Sequence, residues 1–122
     1  MVAKEAIARG YNLRISTKHS LAIADVLGGM KLQRAIKFME NVVKGKQTLD
    51  GKKYYTNASK SFLELLKNAL ANAKNKNLNE EKLFIKAIKV NRGPKIRGTR
   101  TRWKLRFRKL KSTHVEIVVE ER

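Results

Sequence analysis

The sequence predicts an α+β domain, and three observations carry that reading. Apolar residues recur with a helical period between about residues 17 and 75. From residue 83 the period changes, and two runs rich in β-forming residues follow, Leu83–Asn91 and Val115–Val119. Between those runs lies a stretch, Arg92–Lys111, that is dense in Lys and Arg and contains no acid. Helices first and strands after give segregated layers rather than an alternating parallel sheet. The chain of 122 residues has room for one domain, residues 1–122, and shows no internal repeat or linker.

The elements follow in order. Residues 2–15 mix β-branched and aromatic residues with Arg and Lys and predict a short strand or extended arm. Ser16 has the oxygen that accepts from an orphan first-turn N–H, so it predicts the cap of a helix over Thr17–Leu27. Gly28-Gly29 ends that helix, because glycine enters the left-handed conformation without a Cβ penalty. A second helix is expected over Leu32–Val43, with Leu32, Ala35, Ile36, Met39 and Val43 on one stripe. The two helices read as a helix–turn–helix pair. Lys44–Tyr55 is a loop with Asp50-Gly51 as its turn.

The third helix is expected over Asn57–Asn75, capped by Asn57. Phe62, Leu65, Leu66, Ala69 and Ala73 form its stripe, flanked by Leu63 and Leu70. In the first β run, Leu83, Ile85 and Ala87 alternate while Ile88 and Val90 continue in the other phase, which predicts a bulge or a local twist.

Charge dominates the functional reading. Twenty-nine Lys and Arg against ten Asp and Glu give +19. Such a field attracts polyanions, and each contact with a phosphate also releases counterions. The 20-residue arm carries ten of the basic residues: Arg92, Lys95, Arg97, Arg100, Arg102, Lys104, Arg106, Arg108, Lys109 and Lys111. The other 102 residues keep +9, so the body is a contact surface too. From Thr99 to Arg108, charged residues alternate with Thr, Trp103, Leu105 and Phe107. On a strand, that spacing puts charge on one face and apolar or aromatic groups on the other. Arginine grips phosphate oxygens in pairs, and Trp103 and Phe107 suit stacking on unpaired bases, which RNA offers more than duplex DNA. Trp103 as a core residue remains the competing reading. With about ten extended residues per side, the arm would reach on the order of 30 Å.

Other functions compete with this reading. A free DNA- or RNA-binding regulator is one; a DNA-reading protein needs base-reading side chains on a helix, whereas the basic density here is strand-like. A membrane-active peptide needs a cationic amphipathic helix, which a period of two contradicts. Leu21–Leu27, the longest apolar stretch, is too short to span a bilayer, and the N-terminus has no apolar secretory core. These features predict a cytoplasmic protein with no membrane partner. Cysteine is absent, and His19 and His114 lack a ligand pattern, so no metal or cofactor is expected. Gly93–Gly98 has the spacing of a phosphate loop, but Thr99-Arg100 stands where Lys and Ser/Thr are required. His19, Ser20 and Asp25 have the residue types of a triad, yet adjacent helical side chains diverge by about 100°. No catalytic residue, and no small-molecule substrate, is expected. His114 reads as structural or as a phosphate neighbour.

Several strings together carry a resemblance. They are Leu13-Arg14-Ile15-Ser16 with Lys18, Asp25–Gly28, Ala69–Ala73 (ALANA), Val90-Asn91-Arg92-Gly93-Pro94, and Ser112-Thr113-His114 leading into Val115–Glu121. In this order the chain resembles the large-subunit ribosomal protein L-twenty-two family over nearly its whole length. Gly29–Leu32 and Arg14–Ser20 look more like the archaeal and eukaryotic branch. The resemblance implies three helices packed on a three-stranded antiparallel sheet, with a long protruding basic β-hairpin. It implies a structural role in the large subunit, binding large-subunit rRNA beside neighbouring ribosomal proteins and supporting assembly. It places the hairpin at Arg92–Lys111, its tip near the nascent peptide in the exit tunnel, and rRNA contacts at Arg14, Lys18 and His19. Two departures are visible. The Lys44–Tyr55 loop is short for the archaeal and eukaryotic branch, and Thr101-Arg102-Trp103-Lys104 stands where the family commonly has Pro-Arg-Ala and a glycine.

Overall fold

A computed structural model describes residues 5–46, 55–93, 96–97, 109–110 and 112–121, with the backbone alone at 96–97 and 109–110. The elements are β1 (Glu5–Leu13), α1 (Thr17–Leu27), α2 (Leu32–Val43), α3 (Thr56–Asn75), β2 (Leu83–Arg92), β3 (Ile96–Arg97), β4 (Lys109–Leu110) and β5 (Thr113–Glu121). A single 3-10 turn, Glu80–Lys82, precedes β2.

β5 is the centre of a three-stranded antiparallel sheet of order β1-β5-β2. Alternation along β5 buries Val115, Ile117 and Val119, and register places Ala6, Ala8, Ile85 and Ile88 beside them. The three helices cover that face: α3 lies on β1 and β5, α1 on β2, and α2 against α3. Ile23, Leu27, Leu32, Met39, Phe62 and Leu66 fill the space between the layers with no exposure to solvent. Small residues on both sides, Ala6 and Ala8 against Ala69 and Ala73, allow the close approach of α3 to β1. The opposite face has an apolar row, Ile7–Val118–Ala87, beside a charged row, Arg9–Glu116–Lys89.

Each outer edge of this sheet is covered at its acidic end. The Asn72 side-chain amide donates to Ile7 O at 2.8 Å, and Lys76 Nζ donates to Glu5 O at 2.9 Å, so α3 takes carbonyls from the edge of β1. On the other side Ile85 N–H donates to Met30 O at 2.9 Å, and Lys31 bridges to Phe84. The turn between α1 and α2 is thus more than a helix–turn–helix joint; it pairs with β2. Covering edges in this way prevents strand addition.

The three helices fall where periodicity puts them, with differences at their ends. Ser16 caps α1: its Oγ accepts from His19 N–H at 3.4 Å. Gly29, with φ +80°, is the left-handed residue after it. On α2 the buried stripe takes Val42 in place of Val43, while Ile36 is half-buried. The expected cap of α3 at Asn57 is corrected: the helix begins at Thr56 after Tyr55, which is itself left-handed at φ 44° and makes no side-chain capping bond. A tertiary contact of Tyr55, described below, outweighs local capping preference. The first β run does have a bulge, but it lies between Ile85 and Ala87 rather than after Ala87, so Ala87 is corrected to the face opposite Leu83 and Ile85, beside Val118. The final strand extends to Thr113–Glu121, beyond Val115–Val119. The Asp50-Gly51 turn lies outside the described residues.

Candidate RNA interface

The site starts from one buried hydroxyl. Thr113 is the first residue of β5; register pairs it with Leu13 of β1 on one side and with Arg92 of β2 on the other. Its Oγ1 donates to Ile15 O at 2.8 Å. Having spent its only proton there, it can only accept from Thr17 Oγ1, at 2.9 Å. Three chain segments therefore converge on Thr113: the end of β1, the first turn of α1, and the point where the basic arm leaves the sheet.

This convergence brings sequence-distant basic residues to one end of the molecule. Arg14 and Lys18 are exposed, and His19 is half-buried beside them. Arg92, also exposed, leaves the same row of the sheet. Beyond it Gly93 N–H donates to Ser112 O at 2.9 Å, and β3 pairs antiparallel with β4, Ile96 opposite Leu110 and Arg97 opposite Lys109. The described part of the arm is thus a paired root. Lys95, Arg100, Arg102, Trp103, Lys104, Arg106, Arg108 and Lys111 lie outside the described residues, as does any hairpin they form.

Acidic residues are concentrated at the opposite end. Glu5 pairs with Glu120, Leu83 pairs with Glu121, and Glu80 and Glu81 directly precede β2. Half of the ten acids of the chain are therefore gathered where β5 ends, while the first turns of α1 and α3 contain none. The nine residues of β5 separate the two ends by roughly 25 Å, more than two Debye lengths at 0.1 M salt. The acids are tied up locally: Lys86 bonds Glu5, and Lys74 approaches Glu80 at 3.4 Å. The hydrogen bond from Lys86 to the Glu5 carboxylate, then the charge of that carboxylate, holds the Lys86 ammonium above the ordinary lysine range.

Two aromatic contacts at the basic end had no signal in the sequence. His19 and Tyr55 stack with centroids 4.0 Å apart and planes 20° apart, joining α1 to the start of α3. Tyr11 meets His114 edge-on, with centroids at 5.5 Å. Tyr11 and Asn12 form a bulge in β1; Asn12 is left-handed at φ 55°, and its N–H donates to His114 Nδ1 at 3.1 Å. Adjacent Tyr and Asn near a strand end give a weak hint of such a bulge, but nothing in their spacing names His114 as the partner.

Among the described residues, no three potential metal ligands come together and no helix is long and apolar enough to cross a membrane. No buried polar side-chain atom of those residues lacks a partner.

Comparison with known proteins decides the family. The model of the family "Ribosomal protein L22p/L17e" matches residues 8–120. The chain belongs to this family. Among similar proteins is a "Large ribosomal subunit protein uL22" of Methanocaldococcus jannaschii, 35% identical over 97% of this chain and 88% of its own length. Proteins of the same name in Aspergillus fumigatus and Schizosaccharomyces pombe (there uL22A) are 37% and 36% identical, covering 98% and 97% of this chain and 73% and 75% of their own lengths. Ribosomal L22 proteins are structural and non-enzymatic. The alignment with the Methanocaldococcus protein runs over 138 positions against 122 residues here, so that relative has at least 16 residues this chain lacks. The shortening agrees in sense with the short 44–55 loop.

Proposed function

We propose that this L22-family chain is a structural constituent of the large ribosomal subunit, held in the cytoplasmic ribosome by contacts with large-subunit rRNA and neighbouring ribosomal proteins. The observation that carries the reading is the row Leu13–Thr113–Arg92, which gathers the exposed Arg14, Lys18 and Arg92 and the arm root at one acid-poor end. Phosphates of folded rRNA satisfy that charge, and an arm with a charge period of two enters RNA where a helix-bearing body cannot. Arg14, Lys18 and His19 hold rRNA at the body. Arg92, Lys95, Arg97, Arg100, Arg102, Lys104, Arg106, Arg108, Lys109 and Lys111 hold it along the arm, and Trp103 stacks on a base. The arm acts as a β-hairpin continuing the β3–β4 pairing. It joins rRNA segments during subunit assembly and brings its tip toward the nascent peptide in the exit tunnel. Residues 1–122 work as one unit in this role.

The test is crosslinking in cells followed by sedimentation. Co-migration of the crosslinked chain with large subunits is the expected outcome. Recovery on free RNA or DNA, away from the subunit peak, overturns the proposal.

A further inference from the structure

We propose that Tyr11, His114 and Asn91 form a second RNA site at the arm root, which takes one unpaired nucleotide by stacking its base on Tyr11 and donating a hydrogen bond to it from His114. The inference rests on the RNA-binding reading above and adds a site on the face of the sheet turned away from the helices.

Tyr11 is 65% exposed, although an aromatic ring on a sheet ordinarily packs against its neighbours. It is held out by the β1 bulge, and Asn12 fixes the bulge by adopting φ 55° and donating its N–H to His114 Nδ1. That bond has a chemical consequence for the imidazole. With Nδ1 accepting, the proton of the neutral ring resides on Nε2. Nε2 has no hydrogen-bond partner among the described residues, and it is not sealed from solvent, since no buried polar atom is left unpartnered. His114 therefore offers an oriented N–H donor to an external acceptor.

The surroundings keep that donor open. A Cβ at Gly93 would lie 3.3 Å from His114 Nε2 and 3.2 Å from Cε1, so any side chain there would crowd the imidazole. The Tyr11 and His114 rings stand at 70° to each other, so a base on the open face of Tyr11 brings an edge near the imidazole. Asn91 is exposed and directly opposite His114 in the strand register, and its amide supplies both a donor and an acceptor in the same row. Arg92, the next residue, begins the charged arm. Stacking is tolerant of base identity, whereas a single Nε2–H donor selects bases that present an acceptor at that edge.

The experiment uses the full chain and a fluorescent 12-nucleotide oligouridine, with an RNA duplex of equal length as comparison, read by anisotropy at several salt concentrations. Loss of one base–aromatic stack lowers affinity by roughly five- to hundred-fold, so Tyr11→Ala is expected to weaken oligouridine binding within that range. Tyr11→Phe, which keeps the ring, retains binding. Duplex affinity and the slope of log K against log salt stay at wild-type values in both variants, because no charge is removed. The site is refuted if Tyr11→Ala binds oligouridine as wild type does, or if Tyr11→Phe loses as much as Tyr11→Ala. Equal losses on oligouridine and duplex also refute it, since they mark a structural effect. A wild-type chain that binds neither RNA overturns the broader RNA-binding proposal instead.

Discussion

Replacing Thr113 by valine keeps the shape of the side chain and deletes its hydroxyl. That hydroxyl donates to Ile15 O at 2.8 Å and accepts from Thr17 Oγ1 at 2.9 Å, at a residue with 0% exposure. Each bond contributes about 0.5–1.5 kcal/mol net, and a buried carbonyl left without a donor costs about 1–3 kcal/mol. Valine is β-branched like threonine and fits the strand, so no cavity penalty is added. The expected loss is about 2 kcal/mol, which lowers Tm by roughly 6–10 °C for a chain of this size. Thr17→Val removes only the outer donor and leaves the Thr113–Ile15 bond in place, so it costs about 0.5–1 kcal/mol. In the double variant the two losses overlap, because the Thr17–Thr113 bond can be lost only once. Urea unfolding followed by circular dichroism measures all three, with an unchanged m value as the check that the transition is the same one. A loss below about 0.5 kcal/mol in Thr113→Val, smaller than one average hydrogen bond, refutes the assignment of Thr113 as the fastener. Equal losses in the two single variants refute it as well.

Three further outcomes are expected. Gly93→Ala drives a Cβ into Ser112 Oγ, and the resulting shift costs about 1–3 kcal/mol by the measure of overpacked sites; urea unfolding checks it. Deleting Gly98–Phe107 removes four basic residues and leaves the described sheet and helices intact, so unfolding stays cooperative while RNA binding weakens. Wild-type RNA binding falls steeply with salt, and if all four deleted charges contact a single strand, the deletion reduces that slope by roughly 3; anisotropy titrations measure it, and a flat wild-type plot contradicts the electrostatic account.

Where burial alone decides structure, the sequence was a sufficient guide. Helical stripes are set by which residues leave water, and Phe62, Leu65, Leu66, Ala69 and Ala73 are all buried as their spacing requires. A slip of phase in β2 was visible for the same reason, since a bulge exchanges the two faces of a strand, but small Ala87 fits either face and left its position misplaced by one step. What could not be read was set by contacts between segments far apart in the chain. Tyr55 starts α3 in a left-handed conformation because it stacks on His19, 36 residues earlier, and no local preference encodes that. Thr113 and Thr17 are 96 residues apart, and both are ordinary residues for their elements. At the candidate site, charge made the arm legible and resemblance supplied Arg14, Lys18 and His19. Tyr11, Asn91 and His114 are meaningful only once β1, β2 and β5 are laid side by side.

The position of Thr113 also bears on how RNA would be held. Were the arm joined to the body only through β2 and β5, it would be free to tilt about the sheet end, and each RNA contact on it would first have to immobilise it. The Thr113 hydroxyl ties the strand that returns from the arm to Ile15 and Thr17, the residues between Arg14 and Lys18. The arm root and the first turn of α1 therefore behave as two prongs with a fixed spacing. RNA bound to one prong would find the other already placed, so the second contact would cost less ordering entropy than the first. Loosening the prongs through Thr113→Val should then weaken RNA binding even though valine removes no charge and touches no RNA. Because Zeff is unchanged, that loss should appear as a parallel displacement of the salt titration, distinct from the change of slope that follows the loss of arm charges.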